Sequence, residues 1–229
     1  MCEALLALGA HVKGWSRFEE WARAVRQVEK QQPQVVVGVR DFLLRTAADI
    51  KTTEDCVGWC STICNFCSGN VPNQLTLATI EIRDALLSLR AYANTAGSCE
   101  AWCSSVCHLT RLNVEITTMF GTVEIRDALL ALNQYVSTAN SCVWWCAAVQ
   151  HVADGVEANK VLLRTPAMVA AVQRLEQLGA TTEWATEWWG KANGVMNSEP
   201  VAAAAAAAES APAAPSNKET PNSSCCTMQ

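Results

Sequence analysis

The residues best equipped for chemistry in this 229-residue chain are its twelve cysteines. Cys56, Cys60 and Cys64 stand four apart, as do Cys99, Cys103 and Cys107, and Cys142 and Cys146. A step of four on a helix returns to the same face, so these sulfurs form stripes. Thiolates from two neighbouring stripes, joined by His108 and His151, would make a soft site for Cu(I) or Zn. Zinc sites more often use tight Cys-x-x-Cys loops. Here the sulfurs share their stripe with Trp59 and Ile63, which favours cysteine as a small buried hydrophobe. No metal and no other cofactor is assigned.

A second pair of thiols offers different chemistry. The chain ends Cys225-Cys226-Thr227-Met228-Gln229. Its last four residues fit a prenylation box with Gln in the final position, which favours a farnesyl thioether on Cys226. The box follows a run of alanines (202–208) and a Pro/Ser-rich stretch, read as a disordered linker over 198–224. A flexible tail of that composition reaches about 30 Å on average and is accessible to a modifying enzyme. One prenyl chain anchors weakly, and only Lys218 is basic nearby, so Cys225 is the candidate for a second, palmitoyl anchor. Cys2 stands where myristoylation requires glycine.

Other chemistries lack their raw material. There is no Gly-rich phosphate loop, no nucleophile elbow and no His-Glu-x-x-His pattern, and the chain holds three histidines. The expectation is a non-enzymatic protein without a small-molecule substrate. A net charge of -5 argues against nucleic acid as the main partner. No apolar run approaches the ~20 residues of a membrane-spanning helix, and no signal peptide is recognised at the N-terminus. Cysteines spaced along helices, without a secretory signal, point to reduced thiols and a cytoplasmic location.

The elements that carry these residues repeat. Glu81-Ile82-Arg83-Asp84-Ala85-Leu86-Leu87 recurs 43 residues later as Glu124-Ile125-Arg126-Asp127-Ala128-Leu129-Leu130. Val39-Arg40-Asp41 lies 43 residues earlier, and Met168-Val169-Ala170 a further 43 beyond the second copy. Trp59, Trp102, Trp145 and Trp188 are also 43 apart. The N-terminus contributes a half unit, residues 4–8 with Trp21, Ala22 and Gln27. Each unit reads as two helices. The first carries Ile82, Leu86, Leu89 and Ala93 on one face. The second carries Cys56, Trp59, Cys60, Ile63, Cys64 and Cys67. A shorter helix precedes the first, near 75–79, 114–120 and 160–164. Asn70, Asn113 and Asn159 read as polar stops after the second helices. The tryptophan ladder belongs to the core. Trp144 and Trp189 each sit beside a ladder tryptophan, so they point elsewhere and are candidates for partner contact. Arg40-Asp41, Arg83-Asp84 and Arg126-Asp127 suggest weak ion pairs between units.

A short helix followed by two longer ones, over just above forty residues, resembles the armadillo repeat, with the HEAT repeat a related two-helix alternative. The likeness covers residues 4 to about 197. It is carried by Trp59-Cys60, Trp102-Cys103 and Trp145-Cys146, and by Ile63-Cys64-Asn65-Phe66, which decays to Val106-Cys107-His108-Leu109 and Val149-Gln150-His151-Val152. The resemblance implies an all-α, right-handed solenoid of about 4.5 units over residues 1–197. It further implies a protein or peptide partner in a groove lined by the last helix of each unit. On that helix Asn65, His108 and His151, with Gln27, would form a polar row, candidates for partner contact. The importins' peptide clamp is not implied, because Ser61, Ser104 and Ala147 replace the tryptophans four residues before that row. Together with the lipid box at 225–229, these features suggest an adaptor peripheral to the cytosolic leaflet of a membrane. The alternatives are a soluble scaffold without lipid and a thiol-rich metal protein.

Overall fold

The structure, a computed structural model, describes residues 34–111 and 113–198. The half unit with Trp21, Ala22 and Gln27, the linker beyond residue 198, and Cys2, Cys225 and Cys226 lie outside the described residues.

Threonines set the helix starts. Thr79, Thr122 and Thr165 each accept a hydrogen bond from the backbone N–H three residues on, opening α4 (Ile80–Leu89), α7 (Val123–Asn133) and α10 (Pro166–Arg174). Thr52, Thr95, Thr138 and Thr182 do the same for the four 15-residue helices α2 (Thr53–Cys67), α5 (Ala96–Thr110), α8 (Ala139–Ala153) and α12 (Glu183–Asn197). Ser98 and Ser141 complete capping boxes by accepting from the Thr95 and Thr138 N–H groups. Before each of α4, α7 and α10 runs a seven-residue helix, α3 (Val71–Leu77), α6 (Val114–Phe120) and α9 (Glu157–Leu163). The first and third of these start several residues before the expected positions. The remaining elements are α1 (Gln34–Ala47), a 3-10 turn at Arg90–Tyr92 and the one-turn α11 (Glu176–Gly179). Among the described residues every regular element is helical.

Asn70 and Asn113 are N-caps of the short helices rather than stops. Asn159 is inside α9 and buried, where its Nδ2 donates to Val152 O at 2.8 Å and to Thr117 O at 2.8 Å. Both partners are backbone carbonyls of other elements, so the amide pins α9 to α6 and α8.

The long helices pack in file, α2 on α5, α5 on α8 and α8 on α12. The first helices form a parallel file, α1 against α4, α4 against α7 and α7 against α10. Trp59, Trp102 and Trp145 lie between the files, fully buried. An indole N–H has no second role, so it must find an acceptor in the core. Trp59 donates to Leu43 O at 3.0 Å, Trp102 to Leu86 O at 2.8 Å and Trp145 to Leu129 O at 2.8 Å. Burial of each tryptophan contributes roughly 4–6 kcal/mol before entropy costs.

The cysteines fill the seams between units. Cys56 Sγ faces Leu89 O at 3.6 Å and Cys99 Sγ faces Leu132 O at 3.7 Å, weak donors to the first helix of the following unit. Polar side chains bridge the same seams. Gln74 Nε2 donates to His108 O at 2.6 Å, Ser105 Oγ to Cys60 O at 3.0 Å, and Arg83 Nη1 to Met119 O at 2.9 Å. The Arg-Asp pairs close within each dipeptide instead of between units: Arg40–Asp41 at 2.9 Å, Arg83–Asp84 at 2.7 Å and Arg126–Asp127 at 2.8 Å. Adjacent side chains meet there because both lie at the exposed edge of the helix.

The fourth unit slips by one residue. Thr182 follows Thr138 by 44 residues, where the earlier caps are 43 apart. Trp189, not Trp188, therefore stands seven residues after its cap and donates to Val172 O at 3.0 Å. The extra residue is taken up at α11. A Cβ on Gly179 would lie 2.8 Å from Trp189 Cβ, so only glycine lets the two approach.

Candidate functional site

Among the described residues, the face of the long helices turned away from the core carries two neighbouring hollows, and their linings follow from counting along the helix. One residue before the core tryptophan, a turn of about 100° aims the side chain away from the core. That position holds Ala101, Trp144 and Trp188 in three successive units. Thirteen residues after the cap stand Asn65, His108 and His151.

The larger hollow has a volume of about 400 Å³. Val57, Ser61, Cys64 and Asn65 of α2 face Glu100, Ala101 and Ser104 of α5 across it, and Trp144 of α8 closes one end. Asn65 is exposed. Burial raises the Glu100 carboxyl above the usual range. Cys64 Sγ lies 3.2 Å from Ser104 Oγ, and burial raises its thiol.

The smaller hollow, about 140 Å³, is aromatic. His108 and Arg111 of α5, Val143, Trp144, Ala147 and His151 of α8, and Trp184 and Trp188 of α12 line it with Cys107. The His108 ring lies 5.7 Å from Trp144, tilted by 39°. Trp144 meets Trp184 edge to face at 5.8 Å and 85°. His151 lies 5.4 Å from Trp188. Lys191 Nζ sits 4.2 Å over the Trp188 ring while pairing with Glu187 at 2.6 Å.

The imidazoles stay neutral at neutral pH. Burial, with help from Arg111 and His151, brings His108 down from its ordinary value to about 4. Burial also lowers His151, against Asp154 and with Arg111 and Lys191. The walls are thus uncharged, while Arg111 at the edge is exposed and makes no ion pair among the described residues.

Three residues singled out from the sequence, His108, Trp144 and His151, meet in the aromatic hollow. Asn65 lines the neighbouring one, and Trp144 is the wall they share. Trp189 lines neither of these hollows, since its indole turns back to Val172. Trp188 is corrected in the opposite sense, from core ladder to groove wall. Sequence reasoning missed Trp184, Trp188, Arg111 and Lys191. Counting from the threonine caps rather than by a fixed 43 identifies Trp188, and Trp184, four residues earlier, shares its face.

The nine cysteines of the described residues are free. Burial pushes the Cys60, Cys103 and Cys107 thiols well up, so they are protonated and unreactive. Among the described residues no group of three or more His, Cys, Asp or Glu side chains is arranged to hold a metal ion. Nor is any described helix long and apolar enough to cross a membrane. No protein-family model, curated protein or solved structure matches the chain.

Proposed function

We propose that the chain is a non-enzymatic protein-interaction scaffold, an armadillo-like solenoid held at a cytosolic membrane face by lipid on Cys226, with Cys225 as a second acylation site. The observation that carries the scaffold reading is the aromatic hollow. Trp144, Trp184 and Trp188 from two successive long helices face outward together, with Trp184 45 % exposed. The exposed part of the Trp184 indole adds nothing to the helix stack, and clustered tryptophans are the usual anchors of protein interfaces. The solenoid reading is supported by the recurrence of the same capped helices at 43 residues and by the packing of α2, α5, α8 and α12 in file.

The membrane tether rests on the motif Cys226-Thr227-Met228-Gln229. Proximity labelling in a eukaryotic cell tests both parts. Cys226→Ser is expected to lose membrane neighbours and enter the soluble fraction. Trp184→Ala is expected to lose one set of protein neighbours and remain on the membrane. A Cys226→Ser protein that still sediments with membranes would rule out the anchor. A neighbour set unaffected by Trp184→Ala would rule out this groove as the contact surface.

A further inference from the structure

Size, lining and surrounding charge define what the aromatic hollow accepts. Its volume is about 140 Å³, close to the ~150 Å³ apolar cavity that takes up one benzene. The group that fits is therefore a single ring. The walls suit a ring in shape as well. Trp144 and Trp184 stand at 85° to one another, so one offers a face where the other offers an edge. A ring seated in that corner makes one offset and one edge-on contact, the two favoured aromatic geometries.

The charge around the hollow selects among ring-bearing ligands. Arg111 acts on both imidazoles, and Lys191 adds to it at His151, whereas Asp154 acts on His151 alone. Lys191 already occupies one face of Trp188, and Glu187 is taken up by Lys191. A cationic ligand would meet Arg111 on the lining itself, where no acid stands, since Asp154 acts on His151 from outside it. An anionic group beside the ring would meet an exposed guanidinium free to form a paired contact. Beyond Trp144 the larger hollow continues with Asn65, Ser61 and Ser104, side chains that donate to and accept from a peptide backbone.

We infer that this hollow is the receptor for one aromatic side chain of a partner peptide, with a neighbouring acidic residue on Arg111 and the backbone crossing Trp144 toward Asn65. The inference rests on the scaffold reading and names the chemistry of its partner. Affinity comes from the buried ring, and orientation from the carboxylate. The net charge of the chain is -5, so attraction of an acidic partner depends on the local field of Arg111 and not on the molecule as a whole.

The probe is a short fluorescein-labelled peptide with one phenylalanine flanked by two glutamates in a glycine-serine background. Its binding to the full chain is read by fluorescence anisotropy. Replacing the phenylalanine by alanine, or both glutamates by lysine, is expected to weaken it roughly tenfold or more. On the protein, Trp184→Ala and Arg111→Ser are expected to weaken it by a similar factor. Arg111→Ser is expected to leave the affinity of the lysine-flanked peptide unchanged or improved, which a general loss of structure would not do. Both sites are exposed, and an unchanged thermal melt checks that the variants fold. The indole N–H resonances of Trp144, Trp184 and Trp188 shift on addition of the glutamate peptide if the ring enters the hollow.

Equal or tighter binding of the lysine-flanked peptide, or of one with trimethyllysine in place of phenylalanine, would overturn the inference. The hollow would then be a cation cage, and the scaffold reading would survive. Absence of any indole shift with every peptide would also overturn it, while the neighbour sets of the Trp184→Ala protein in cells still decide the scaffold reading.

Discussion

A buried tryptophan needs an acceptor, and that requirement separates two adjacent indoles in the last unit. Trp189 donates to Val172 O, as Trp145 donates to Leu129 O, whereas Trp188 faces the hollow. Trp102→Ala is expected to cost about 3–5 kcal/mol. Trp189→Ala should cost more than Trp188→Ala, although Trp188 is the residue at the 43-residue spacing. Denaturant midpoints of the two variants decide this, and the reverse order would reject the one-residue slip. His108 makes stability depend on pH. It is harder to protonate in the fold than in the unfolded chain, so between about pH 6.5 and about 4 the unfolded chain binds more protons. Its contribution to stability is present above that window and is lost as pH falls through it. His108→Gln should flatten the pH dependence of the unfolding midpoint over this range. An unchanged slope would mean that His108 is equally easy to protonate in both states.

A threonine cap is a local device, yet neither the threonine caps nor the capping roles of Asn70 and Asn113 were evident from the repeat spacing. Thr95→Ala is expected to cost about 1 kcal/mol by urea unfolding, since it removes the acceptor of the Ser98 N–H, while the backbone N–H of residue 95 can still donate to Ser98 Oγ. The 43-residue spacing was legible, because tryptophan and cysteine are rare enough for a shared spacing to stand out. His108, Trp144 and His151 followed from that spacing. Trp188 did not, because a residue gained near α11 shifts the register after Val172. Arg111, Lys191 and Trp184 were hidden for a different reason. Their place depends on which faces of α5, α8 and α12 meet, and pairing between helices leaves no local mark. Asn159 is another case, because its value lies in carbonyls on two other elements. A Cβ on Gly121 would fall 1.8 Å from Asn159 Oδ1. Gly121→Ala should therefore destabilise by about 1–3 kcal/mol, by displacing a buried amide from its partners. In the Gly121→Ala/Asn159→Ala double variant the two costs should add to less than their sum, because the obstacle and the lost bonds are the same. Strict additivity would show that the amide moves aside freely.

Across the described residues, the units pack on their neighbours through the long-helix file and the first-helix file. The thiol seams and the bridges from Gln74, Arg83 and Asn159 serve that packing, while the indole ladder ties the two main helices within each unit. The aromatic hollow also joins α5, α8 and α12, with Trp144 and Trp188 packed on the core, but it leaves Trp184 45 % exposed. Photo-crosslinking decides whether this hollow is a partner surface. A photoreactive benzoylphenylalanine at position 187, exposed on α12 beside the hollow but not lining it, should capture a discrete protein partner in cells. The same group at Leu75, an exposed position on α3 (54 % exposed), should not capture it. No adduct from position 187, or the same adducts from both positions, would contradict this role.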